Sequence, residues 1–324
     1  MDIYSIISLF GGLALFLYGM HTLSSGLEKM AGSKMEAVLK KVTSNSFKGL
    51  AFGTVVTAVV QSSSAVTVML VSLVNSGIMQ LRQTIGVIMG SNIGTTVTAW
   101  ILSLMGIDSD NFFVNMLKPS NFSPIVAFIG IMLIMACKKQ NLKDTGYIFI
   151  GFAVLMYGMT AMSGSVEALS EDPRFAGIFT LFDNPLMGVV VGLVFTAVIQ
   201  SSSASVGVLQ AISMTGAITY YSAIPIIMGQ NIGTCISSLI ACVGTSKNAK
   251  RVAAVHILFN CIGTVVFLAI WLAAISLFDL SFAHNAVAPY DIAVIHSVFN
   301  IISTVLMFPF SSGLEKLVKI IVPD

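Results

Sequence analysis

The chain reads as an all-α polytopic membrane protein built from two inverted-topology repeats, each with a re-entrant helical hairpin. Its composition is the first sign: 56% of the residues are hydrophobic and 9% charged, with a mean hydropathy of +0.93, whereas soluble domains carry about 25% charged residues. Long apolar segments recur from end to end, as in a chain that crosses a bilayer many times. The second sign is a duplication: Thr57-Ala-Val-Val-Gln61-Ser62-Ser63-Ser64-Ala65 returns as Thr196-Ala-Val-Ile-Gln200-Ser201-Ser202-Ser203-Ala204, 139 positions later. The third is the uneven placement of basic residues, taken up below.

The 139-residue offset holds without a gap. Gly12 to Glu28 aligns with Gly151 to Glu167, and Gly53 to Thr95 with Gly192 to Thr234, the latter with nearly half the positions identical. Met89-Gly90-Ser91-Asn92-Ile93-Gly94-Thr95 pairs with Met228-Gly229-Gln230-Asn231-Ile232-Gly233-Thr234. Self-similarity at a fixed period marks a repeat architecture. The repeats are assigned to residues 1–139 and 140–324.

Each repeat opens with a spanning helix, 3–23 and 146–163. Asp2 stands where a signal peptide would be basic, so 3–23 reads as a retained membrane helix. In repeat 1 a polar stretch, 25–43, reads as an interfacial amphipathic helix. Two arms follow around each Gln-Ser-Ser-Ser break: 49–60 with 63–79, and 186–199 with 202–218. Spans over 84–105 and 222–243 carry the Asn-Ile-Gly-Thr segments. Spans over 122–137 and 251–278 close the units, and a last helix, 288–310, has no partner in repeat 1.

A crossing needs about 20 apolar residues, so the arms are either hairpins or halves of one broken crossing. Basic residues favour the cytoplasmic side. With both breaks as hairpins, over about 49–79 and 186–218, one side holds 14 Lys and Arg and the other holds only Lys118 and Arg174; with both as crossings the split is 12 to 4. The hairpin arrangement fits better. Repeat 1 then has three crossings, an odd number, and repeat 2 enters upside down. The N-terminus falls outside and the C-terminus in the cytoplasm. The two tips meet near the midplane, which is the architecture of alternating-access carriers.

At each tip the second arm begins just after the glutamine. Its first-turn N–H groups lack intrahelical partners, the helix dipole adds partial positive charge, and Ser62, Ser63, Ser64 and Gln61, or Ser201, Ser202, Ser203 and Gln200, supply further donors. Two such helix starts facing each other suit a tetrahedral oxyanion. The Asn-Ile-Gly-Thr segments are the second polar breaks. Gly90, Gly94, Gly229 and Gly233 are expected to let the helix unwind, and Asn92, Thr95, Asn231, Thr234 and freed carbonyls are hard oxygen ligands for Na⁺, shared with Gln61 and Gln200.

His256 with Asn260 and His296 with Asn300 share a His-x-x-Phe-Asn spacing, read as an interhelical contact with a proton relay as its rival. The 14 acidic residues fall in loops or near span ends, which favours Na⁺ over H⁺ coupling. Cys137, Cys235, Cys242 and Cys261 have no metal-site or disulfide spacing. The net charge of +2 says nothing about nucleic acid, and with no basic patch or aromatic-basic interleaving no nucleic-acid partner is expected.

The paired Gln-Ser-Ser-Ser runs, with Gly90-Ser-Asn-Ile-Gly-Thr95 and Gly229-Gln-Asn-Ile-Gly-Thr234, resemble the type II sodium/phosphate cotransporter family, bacterial members in particular, over nearly the whole chain. The resemblance implies a Na⁺-coupled phosphate symporter of the inner membrane, not an enzyme, with phosphate and Na⁺ bound at Gln61 to Ser64 and Gln200 to Ser203 and no cofactor beyond the coupling ion. The His256-to-Asn260 motif also resembles a family feature. Many bacterial members add a soluble PhoU-like domain, which is not expected within this chain. A homodimer is one option for the assembly. The nearest rival is a carrier of sulfate or a dicarboxylate; no Arg or Lys at either tip is available to clamp a carboxylate. A channel lacks a charged ring or filter, and a serine hydrolase lacks a base near its serines.

Overall fold

The computed structural model describes residues 3–42, 45–107, 111–116, 118–170, 184–278 and 280–323, without the side chains of 32–42, 113, 114 and 170. Every regular element among them is a helix. In chain order these are α1 Ile3–Val42, α2 Ser46–Val60, α3 Ser63–Asn75, α4 Leu81–Ser103, α5 Phe112–Met116, α6 Pro119–Ala136, α7 Gln140–Ser170, α8 Pro185–Ile199, α9 Ser202–Ser213, α10 Tyr220–Ala241, α11 Lys247–Phe278, α12 Pro289–Met307 and α13 Ser311–Ile321. Seven helical stretches are long and apolar enough to cross a membrane, and they lie where the sequence places its seven spans. α2, α3 and α8 are apolar but shorter. The chain is an all-α polytopic membrane protein.

Two expectations change. The amphipathic helix over 25–43 is not separate: α1 runs unbroken for 40 residues, because Ser24-Ser25-Gly26 contains no proline and the Lys, Glu and Met that follow are good helix formers. The Asn-Ile-Gly-Thr segments do not unwind; α4 and α10 continue through them, and Pro225 is accommodated inside α10. A short amphipathic helix, α13, follows the last span, with Leu314 and Val318 turned inward. The last span, α12, shares a pattern with α11 of the same repeat. His256-x-x-Phe259-Asn260 on α11 and His296-x-x-Phe299-Asn300 on α12 occupy matching positions: α11 packs on α10 and α3, and α12 on their 139-shifted counterparts, α4 and α9. Most of the loop expected over 164–185 lies outside the described residues.

The helix glycines serve close packing. α2 lies against α4 with a steady offset: a Cβ on Gly90 would sit 2.0 Å from the Leu50 carbonyl oxygen, and one on Gly94 would sit 2.4 Å from that of Thr54. α8 repeats this on α10, with Gly229 against Val189 and Gly233 against Leu193. Numbers rise together in both pairs, so the paired helices are parallel. Small residues at such contacts let membrane helices approach backbone to backbone. α1 and α7 instead run antiparallel. Gly12 lies against Gly158 and Met162, and Gly19 against Gly151 and Leu155. Gly12 and Gly151 are repeat counterparts, as are Gly19 and Gly158, so each glycine meets the counterpart of the other.

Candidate functional site

The two Gln-Ser-Ser-Ser breaks share one local geometry. α2 ends at Val60, and Gln61 turns left-handed at φ 60°, ψ 24°, its N–H bonded to Thr57 O. Ser62 is extended and caps α3, its Oγ accepting from the Ala65 N–H at 3.1 Å. In repeat 2, Gln200 sits at φ 60°, ψ 22°, and Ser201 caps α9 by accepting from the Ala204 N–H at 3.2 Å. Among the described residues, Gln61 and Gln200 are the two non-glycine residues with positive φ. That conformation costs a non-glycine residue about 1–2 kcal/mol, and such strain collects at functional sites. The first serine of each run is therefore a helix cap, and the N–H groups of the next two face the break without i−4 partners.

The tips meet. Ser64 Oγ reaches Gln200 O at 3.5 Å. Thr98 of α4 donates to Gln61 Oε1 at 2.8 Å and accepts from Ser203 Oγ at 3.4 Å. The Gln61 amide nitrogen donates to Ala58 O. Both tips line a single cavity of about 600 Å³, whose other wall is one face of α1: Leu17, Met20, His21, Ser24, Ser25 and Glu28. The fit between the sites is uneven, since Gln61 is buried at 7% exposure while Gln200 is exposed. A second cavity, of about 410 Å³, lies between α11, α12 and α13, but its lining is almost wholly apolar.

All eight residues at the tips are thus brought together, and the second-break residues are not. Asn92 and Asn231 donate their amides to Ile88 O and Ile227 O, one turn back in their own helices. Thr95 and Thr234 do the same with Ser91 O and Gln230 O. None of the four lines the tip cavity, and no carbonyl is freed beside them, because α4 and α10 stay helical. His256 and His296 also lie elsewhere. Their carbonyls accept from Asn260 and Asn300 at i+4, and His256 Nδ1 meets Ser238 Oγ at 3.3 Å.

Sequence reasoning missed Thr98, His21 and Glu28. A hydroxyl at Thr98 and again at its counterpart Ser237, one turn beyond each Asn-Ile-Gly-Thr, was a readable signal. Glu28 aligns with Glu167, but an interfacial helix over 25–43 places it beyond the first span; the unbroken α1 carries it into the cavity. Among the described residues Glu28 is the one carboxylate in that lining, and no Lys or Arg is found there.

The sequence profile of the Na⁺/Pi-cotransporter family matches this chain twice, over residues 15–164 and 154–282, and the chain belongs to that family of transporters. Among its relatives is "Uncharacterized protein YqeW" of Bacillus subtilis, 28% identical over 98% of each chain. "Putative inorganic phosphate export protein YjbB" of Escherichia coli is 25% identical over 99% of this chain, which spans 56% of that relative's length. "Sodium-dependent phosphate transport protein 2A" of Rattus norvegicus is 44% identical over 98 residues, which is 29% of this chain and 15% of the relative. No solved structure matches the chain.

Proposed function

We propose that this chain is a Na⁺-coupled carrier of inorganic phosphate that works by alternating access, with the anion held between the Gln61–Ser64 and Gln200–Ser203 tips. The single observation that carries this is the convergence of both tips on one cavity with two helix starts facing into it. Membership of a Na⁺/Pi-cotransporter family supports the substrate and the ion.

A re-entrant path for each break is supported by the parallel register of α2 with α4. Ser46 starts α2 and lies beside Gly86 near the start of α4, so α3 has to return the chain to the side it came from. The same holds for α8, α9 and α10. Inverted repeats, 1–139 and 140–324, are supported by the exchange of counterpart glycines between antiparallel α1 and α7, the pattern a two-fold axis across the helices produces. Orientation rests on the basic residues: N-terminus outside, C-terminus cytoplasmic, in the inner membrane.

At the tips, the N–H groups of Ser63, Ser64, Ser202 and Ser203 and the serine hydroxyls would hold phosphate oxygens. Gln61, Gln200 and Glu28 offer oxygens to Na⁺; Asn92, Thr95, Asn231 and Thr234 would reach an ion only if α4 and α10 rearranged. Glu28→Gln should therefore raise the Na⁺ concentration for half-maximal transport about tenfold, with transport at saturating Na⁺ retained. An unchanged Na⁺ curve removes Glu28 from the ion path.

Direction follows from stoichiometry. Bringing HPO₄²⁻ inward against −100 mV costs about 4.6 kcal/mol. One Na⁺ entering down a tenfold gradient supplies about 3.7 kcal/mol, from about 1.4 and about 2.3. At least two Na⁺ per divalent phosphate are needed for accumulation; a chain that couples fewer runs outward, the direction named for the Escherichia coli relative. Reversal-potential measurement in proteoliposomes gives the ratio, and a value of one would exclude accumulation under these gradients. The function itself is tested by labelled phosphate flux in proteoliposomes under an imposed Na⁺ gradient. Flux driven by Na⁺ and not by K⁺ is expected. Sulfate or dicarboxylate moved in preference to phosphate would replace the substrate.

A further inference from the structure

The two repeats, almost identical at their tips, sit in unequal arrangements. α3 packs on α10, α4 and α11, and α9 makes the counterpart contacts with α4, α10 and α12. α9 also packs against α7 and α1, where a Cβ on Gly207 would lie 2.3 Å from the Phe16 ring. The hydroxyls follow the helices. Ser203 bonds Thr98 and Thr98 bonds Gln61. Displaced by 139 positions, that chain becomes Ser64, Ser237 and Gln200, and there it is not made. Gln200 is exposed, Ser64 bonds the Gln200 backbone, and Ser237 Oγ is buried with no hydrogen-bond partner. A buried hydroxyl left unpaired is costly and calls for an explanation.

We propose that Thr98 and Ser237 are alternating latches: Thr98 ties the tips in the state seen here, and Ser237 ties them, through Gln200 and Ser64, in the opposite-facing state. This rests on the carrier reading above. In that second state α3 docks on α1 and α7 as α9 does now, and the cavity opens along the α7 face that carries Thr160 and Glu167, the counterparts of His21 and Glu28. Ser237 is a positioning residue held in reserve, satisfied only in half of the cycle. Its orphaned oxygen is then the trace of a symmetric device caught on one side, since a two-state element is populated according to the contacts each state makes.

The test compares reporters on the two faces. In the full chain with its four cysteines exchanged for alanine, His21→Cys and Thr160→Cys, both exposed positions in the state seen here, are labelled separately with an impermeant thiol reagent in proteoliposomes, and the change that a latch substitution makes in the ratio of their rates reports the shift between states. Thr98→Ala should lower the His21-to-Thr160 ratio roughly fivefold, the effect of one ordinary hydrogen bond. Ser237→Ala should raise it by a similar factor. Thr98→Ser and Ser237→Thr, which keep a hydroxyl, should leave it unchanged. Ser237→Ala deletes only an unpartnered atom, so a merely structural residue would show no effect. No shift with Ser237→Ala, or a shift in the same direction as Thr98→Ala, would overturn the latch. Labelling requires neither phosphate nor Na⁺, so an unmodified chain that fails to carry phosphate would refute the substrate and not this inference.

Discussion

Ser201→Asp should abolish phosphate transport by a protein that remains folded. Ser201 caps α9 through its side-chain oxygen, and Asp caps a helix start as well as Ser does. The local fold is kept while a full negative charge enters the tip. At about 4 Å and an effective dielectric of 20, each unit of phosphate charge is then opposed by about 4 kcal/mol, a loss of roughly a thousandfold in binding. Ser62→Asp should act alike. Ser201→Ala loses a cap worth about 1 kcal/mol but keeps the N–H groups and the dipole, so it should hurt much less. Thermal unfolding and phosphate flux measured on the same preparation separate the two effects. Near-normal flux through well-folded Ser201→Asp would make the doubled motif structural.

The second large effect concerns packing. Gly90→Ala and Gly229→Ala each place a methyl carbon 2.0 Å from a backbone carbonyl oxygen of the neighbouring helix, Leu50 or Val189. Backbone cannot step aside as a side chain can, so α2 must separate from α4, or α8 from α10. Overpacking costs about 1–3 kcal/mol and more where nothing relaxes, and these substitutions belong to the second case. The expected result is a steep loss of folded protein in detergent and a Tm lowered by several degrees. Gly11→Ala and Gly313→Ala, where an added Cβ meets nothing within 4 Å, should be neutral. If Gly90→Ala folds normally and alters only transport kinetics, the glycine provides flexibility and the unwinding expected from sequence regains its ground.

Those glycines mark where sequence reading stopped. The absence of a Cβ permits either an unwound helix or a close approach, and only the partner helix decides between them. The spans, the breaks and the doubled tips were legible because apolar length and repeated polar runs are written into consecutive residues. Thr98 was not, because it reaches Gln61 across 37 positions. The inequality of the tips is invisible in principle: Gln61 and Gln200 have nearly the same neighbours in sequence, and one is buried while the other is exposed. Glu28 was legible as a repeat partner of Glu167 yet misplaced, since hydropathy ends the first span before the helix ends.

The central claim is that two tips, one from each repeat, make a single binding site. Phosphate flux in proteoliposomes through Gln61→Gly, Gln200→Gly and the double variant tests it most directly, because glycine takes a φ of 60° without strain and only the amides are lost. Groups that act in one binding event are not additive. The double variant is expected to lose no more than about threefold beyond the worse single variant. Each single variant keeping about half of the transport, with only the double variant losing the rest, would contradict a shared site, because independent sites contribute fluxes that add.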